Sequence, residues 1–206
     1  GVLPDSTLAD VEKGVNYMPV DLAESIDEKG NINNIHPLNF VEMSGELFDK
    51  AHEEGAGGKN IGAKGYLSNN NKKLIFFVID YDQHKQRQEG KIASAAQSSK
   101  FQNVLSYLDD SGILKRTDGI YILISKADLF PSGVNRTDYA EEFLKNNYRG
   151  FYNNCKILKN KHKDNFELTL YPFSLGKVLY KNLLVEFDKT PPNDLMQYIY
   201  DNSFVK

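Results

Sequence analysis

Two stretches of this chain are apolar at every step: Leu74-Ile75-Phe76-Phe77-Val78-Ile79 and Ile120-Tyr121-Ile122-Leu123-Ile124. β-Branched and aromatic side chains dominate both. Neither shows the two-residue alternation of a strand with one wet face, so strands buried on both sides are expected over Lys73–Asp80 and Gly119–Ser125. A sheet of such strands needs helices over both faces, and parallel connections need helical crossovers. The intervening segments suit that role. Ile92, Ala96, Phe101, Val104, Leu105 and Leu108 recur at three- and four-residue steps and predict a helix over Lys91–Asp110 that ends near Ser111-Gly112. Tyr139, Phe143, Leu144, Tyr148 and Phe151 form a second helical stripe, followed by a lysine-rich turn and a strand over Phe166–Tyr171. A last helix is expected after Pro191-Pro192, capped by Asn193 and running to about Tyr200. Upstream, Tyr17–Leu22 and Leu38–Met43 read as two short strands joined by a hairpin-like connection, and the glycine-rich stretch from Asp49 to Asn71 reads as a mobile loop. The order β-α-β-α-β-α predicts an α/β fold, a mostly parallel sheet with helices on both faces, formed as a single domain over residues 1–206.

Charge and hydropathy narrow the function classes. The 28 acidic and 25 basic residues are interspersed and sum to −3, so no face is built to neutralise a nucleic-acid backbone. The longest apolar run, Leu74–Ile79, is far short of the roughly 20 residues of a membrane helix, and the chain is expected to hold no membrane segment. Cys155 is the single cysteine, which excludes an internal disulfide framework and fits a reducing, cytoplasmic setting. It lies in a Lys- and Asn-rich helical stretch that does not suit a nucleophile. His36, His52, His84 and His162 show no ligand spacing, so no metal site is expected from them.

Ligands of open parallel sheets bind beyond the carboxyl ends of the strands. Those ends carry Glu42-Met43-Ser44-Gly45, Asp80-Tyr81-Asp82, Ser125-Lys126-Ala127-Asp128 and Ser174-Leu175-Gly176-Lys177.

Ser125-Lys126-Ala127-Asp128 after an apolar strand resembles the base-recognition motif of P-loop GTPases, with Ser in place of the first Asn or Thr. The resemblance covers about residues 17 to 200 and implies a Ras-like architecture. It makes Asp128 the guanine-specificity residue, a role that suits a carboxylate because it can accept two hydrogen bonds from the N1 and exocyclic N2 donors of guanine, a pattern adenine does not present, and it lays the Lys126 stem along base and ribose. Glu42-Met43-Ser44-Gly45 is similar to the family's Asp-x-x-Gly, with Glu42 near magnesium and the Gly45 amide at the γ-phosphate. Ser174 and Leu175 resemble the loop whose backbone meets the guanine O6, and Thr7 stands about where the first switch carries its magnesium-binding threonine. The finer wording resembles GTPase-like domains of large bacterial proteins.

One part of that family's machinery is missing. No Gly-x-x-x-x-Gly-Lys-Ser/Thr occurs; Gly55-Ala56-Gly57-Gly58-Lys59-Asn60 has the wrong spacing and follows no apolar strand. The sequence reading therefore expects a Ras-like fold without its first strand and phosphate loop, either lost or preceding residue 1 in a larger polypeptide, with Gly1 a cloning scar. GTP or GDP with magnesium is the expected ligand of the intact protein, with poor binding by this chain, no catalytic residue of its own, and hydrolysis only if an upstream phosphate loop exists. Two other readings stand beside it. Asp80-Tyr81-Asp82 resembles the Asp-x-Asp strand end of haloacid-dehalogenase-type, magnesium-dependent phosphatases, although Gln83 and His84 stand where a Thr belongs. The chain also reads as a non-catalytic interaction module on a GTPase-like scaffold.

Overall fold

A computed structural model describes residues 15–20, 25–26, 32–33, 38–43, 67–71, 73–90, 97–162, 166–179 and 183–203. The chain divides into two compact units, one over Asp5–Leu67 and one containing Ser68–Lys206. In the first, β1 (Val15–Val20) pairs antiparallel with β4 (Leu38–Met43), in a register that runs from Val15 opposite Met43 to Val20 opposite Leu38. The two expected strands are thus a pair, shifted two residues toward the amino terminus at β1. The connection carries a second short pair, β2 (Ser25–Ile26) with β3 (Ile32–Asn33). Of the glycine-rich stretch only residues 67–71 are described, and Leu67 and Ser68 there are helical.

The second unit is an α/β layer structure. β5 (Leu74–Asp80), β6 (Gly119–Ser125) and β7 (Glu167–Pro172) form a parallel sheet in that order. β6 is the central strand, and Ile120, Tyr121, Ile122 and Ile124 are all fully buried. Burial of each such side chain contributes about 1.5–3 kcal/mol. β5 is apolar along the same length but lies at the edge of the sheet and leaves Val78 half-exposed, so the expected burial on both faces holds for β6 and not for β5. Gly119 opens β6 where a Cβ would lie 2.8 Å from the Glu167 carbonyl oxygen, so the first register position of β6 against β7 tolerates no side chain.

Helices follow each strand. α1 (Tyr81–Gln88) and α2 (Gln97–Asp110) lead from β5 to β6; α3 (Arg136–Asn147) and α4 (Arg149–His162) lead from β6 to β7; α5 (Thr190–Ser203) closes the chain. Phe77 on one face of β5 stacks with Phe101 of α2 and Phe151 of α4, at ring separations of 5.2 and 4.9 Å. Leu74 and Phe76 point the other way, into a cluster with Tyr121 and with Leu195 and Ile199 of α5. Helices therefore cover both faces of the sheet. A hairpin of β8 (Gly176–Leu179) and β9 (Leu183–Phe187) precedes α5. Among the described residues no helix is long and apolar enough to cross a membrane.

Four local expectations change. α1 is a helix with Tyr81 as its one large apolar residue, so hydrophobic periodicity passes over it. The single stripe over Tyr139–Phe151 is two helices meeting at Tyr148, whose φ of −128° breaks the helical path. The lysine-rich segment after it is not a turn: α4 continues to His162, with Lys159, Lys161 and His162 in its last turn beside the negative end of the helix dipole. α5 begins at Thr190, three residues before Asn193, because its prolines occupy a first turn whose amides need no partner; the Asn193 N–H already donates to the Lys189 carbonyl at 3.1 Å.

Candidate functional site

Parallel pairing in register delivers the ends of β5, β6 and β7 side by side, with Asp80 opposite Ser125 and Ile124 opposite Pro172. Asp80 ends β5 and caps α1, its Oδ1 accepting the Gln83 N–H at 3.0 Å. This satisfies one of the amides that every helix start leaves open.

After β6 the chain turns at Lys126, with φ 59° and ψ 37°. Among the described residues it is the single non-glycine with a positive φ, a conformation that costs a Cβ-bearing residue about 1–2 kcal/mol. Lys126 Nζ lies 3.1 Å from Asp80 Oδ2 and 3.5 Å from Asp82 Oδ2. Burial draws the ammonium pKa down, but the hydrogen bond to Asp80 and the charges of Asp80 and Asp82 outweigh it, and the net shift is upward.

Ala127, Asp128 and Leu129 form one 3-10 turn. The Ala127 N–H donates to the Phe173 carbonyl at 3.0 Å, and the Phe173 N–H donates to the Ile124 carbonyl at 2.8 Å, lacing the loop after β6 to the loop after β7. Ser174, which is buried, donates from Oγ to Asp128 Oδ1 at 2.8 Å across 46 residues of sequence, and the same Oγ accepts the Gly176 N–H at 3.1 Å. The φ of 103° at Gly176 that permits this turn is open to glycine and strained for other residues. Among the described residues Asp128 Oδ2 has no protein donor, and Leu175 beside it is exposed.

The fold thus brings together five residues that the sequence singles out: Ser125, Lys126, Asp128, Ser174 and Leu175. Their local roles differ. Ser125 donates its hydroxyl to the Ile79 carbonyl at 3.3 Å and so ties β6 to β5. Lys126 faces Asp80 and Asp82, and Asp128 faces Ser174. Glu42 is an exposed residue of β4 in the other unit, while Thr7 and Gly45 lie outside the described residues. No protein-family model, curated protein or solved structure matches this chain.

No group of three or more His, Cys, Asp or Glu among the described residues is arranged to hold a metal ion. Cys155 is fully buried and its thiol is pushed up to about 12 by that burial, so at neutral pH it is a packed thiol and no nucleophile.

Sequence reasoning missed the lacing of the two loops and the β8–β9 hairpin. The hairpin left a signal, since Lys181-Asn182 separates two apolar runs. The lacing left none, because backbone donors carry no residue type.

Proposed function

We propose that this chain is a guanine-nucleotide-binding, GTPase-like module, an incomplete or degenerate one that acts as a nucleotide-dependent switch or interaction module within a larger protein. Asp128 accepts hydrogen bonds from the N1 and N2 donors of the base, and Lys126 lays its alkyl stem along the base plane. The observation that carries this reading is the 2.8 Å hydrogen bond from Ser174 to Asp128. Two loops assigned to base recognition separately, on residue type and order alone, converge into one hydrogen-bonded unit. Each carboxylate oxygen has two lone-pair sites, so Oδ1 can accept from Ser174 and still serve the base.

The phosphatase alternative asks Asp80 for an oxygen free to attack phosphorus. Both oxygens of Asp80 are engaged instead, Oδ1 by the Gln83 N–H and Oδ2 by the Lys126 ammonium. That geometry favours the guanine reading.

Titration of the chain with GDP and with ADP, followed by amide NMR shifts around 125–128 and 174–176, tests it. GDP is expected to perturb these positions and ADP to leave them unmoved. Asp128→Ala removes two charge-assisted hydrogen bonds worth about 1.5–3 kcal/mol each, and at least a tenfold loss of GDP affinity is expected. Asp128→Asn offers one acceptor and one donor, which suits the N1–H and O2 of xanthine, so preference should move from guanine to xanthine. Equal responses to GDP and ADP, or an Asp128→Ala chain that binds GDP unchanged, would sink the reading.

A further inference from the structure

A left-handed lysine at the end of a buried strand is an expensive feature, and the surroundings of Lys126 explain how it is kept. The turn at φ 59° directs the side chain across the end of β5, where two carboxylates, one from the cap and one from the first turn of α1, meet its ammonium. Each carboxylate is itself fixed by a second bond. Asp80 holds the Gln83 N–H as the cap of α1, and Asp82 Oδ2 accepts from Gln86 Nε2 at 2.8 Å one turn further on. The pair is therefore rigidly mounted on the first turns of α1. Asp128 stands two residues after Lys126 and is held from the opposite side, by Ser174 of the β7 loop. The ammonium and the carboxylate of this loop are thus anchored by different strands, the first by β5 and α1, the second by β7.

We infer that Asp80 and Asp82 are positioning residues for base binding: they hold the Lys126 head so that its stem forms one wall of the guanine site that Asp128 specifies. This inference rests on the guanine reading above. A lysine with a free head samples many rotamers, and ordering such a side chain on binding opposes association; a head already held by two mounted carboxylates has been ordered by folding. The same arrangement explains the placement of the helix start. Had α1 begun one residue later, Asp80 would not be its cap and its carboxylate would be free to turn away from Lys126.

The test uses the full chain with Asp80→Asn, Asp82→Asn and the double variant. Asn is as good an N-cap as Asp, so Asp80→Asn keeps the helix start and removes only the charge. The first readout is the order parameter of the Lys126 side chain by NMR relaxation without ligand. It should be high in the parent chain and fall in the double variant, while the Asp128→Ala chain keeps it high. The second readout is GDP affinity, expected to weaken about 2- to 10-fold in the double variant, the loss expected from ordering one rotamer-rich side chain on binding. Asp80→Glu, which restores the charge on a longer stem, should recover part of both. An ammonium as ordered in the double variant as in the parent, or GDP affinity unchanged in it, overturns the positioning role. A parent chain that shows an ordered Lys126 and no response to GDP overturns the guanine reading instead, so the two failures are distinguishable.

Discussion

The β5–β6 pair carries a lysine at each end, and the two are held in opposite ways. Lys73, just before β5, donates from Nζ to the carbonyls of Asn69 at 2.6 Å and Asn71 at 3.0 Å, and its own N–H donates to Asp118 Oδ2 at 2.7 Å. Lys126, just after β6, meets side-chain carboxylates from a strained backbone. Burial draws the pKa of Lys73 down despite the charge of Asp118, whereas Asp80 and Asp82 drive that of Lys126 up against its own burial. Neutral carbonyls satisfy an ammonium without adding charge, and they belong to a turn that then has nothing further to offer. Carboxylates on a helix start place their charge beside the ammonium at a partly exposed edge. The amino edge of the sheet is a finished joint, and the carboxyl edge is the candidate site.

Three changes press on that contrast, in descending size of expected effect. Asp118→Ala removes the acceptor of the Lys73 N–H at the strand start; a loss of about 1–3 kcal/mol is expected in urea unfolding, with GDP affinity unchanged. A matching loss of affinity would mean that the two edges are not separate. Lys126→Gly should do the reverse. It relieves the left-handed backbone and loses two half-exposed ion pairs, which nearly cancel, so stability should stay within about 1 kcal/mol while GDP affinity falls severalfold. Alkaline titration of the two lysines by side-chain NMR gives the finest separation. Lys73 should lose its proton below 10.5 and Lys126 above it. The raised pKa of Lys126 means a contribution to stability that is present below 10.5 and lost as pH climbs through its folded value. The lowered pKa of Lys73 works with the opposite sign, since the folded chain releases that proton first and gains stability as pH rises toward 10.5. Coincident titration of both would remove the distinction.

Legibility in the sequence followed the same division. β6 was plain because burial on two faces demands apolar residues at every step; β5 was equally plain as a strand but not as a doubly buried one, since its Val78 stays half-exposed; and the helix of Phe101, Val104, Leu105 and Leu108 was plain because one face must match it. α1 was invisible to periodicity: between Tyr81 and Gln88 it signals itself through the Asp80 cap, Asp82 in its first turn and Lys85 and Arg87 in its last. At the site, residue types identified Asp128 and Ser174 but not their bond, and they identified Lys126 without its partners.

What the sequence determined by itself is the α/β class, the existence of the two apolar strands and the residue types at the strand ends, because each depends on the side chains of one local run. Which strand ends lie together, that Ser174 reaches Asp128, and that Asp80 and Asp82 receive Lys126 were decided by parallel register and by one residue turned into the left-handed region. Those are distances between segments tens of residues apart, and a distance of that kind exists only once the sheet has closed around its core.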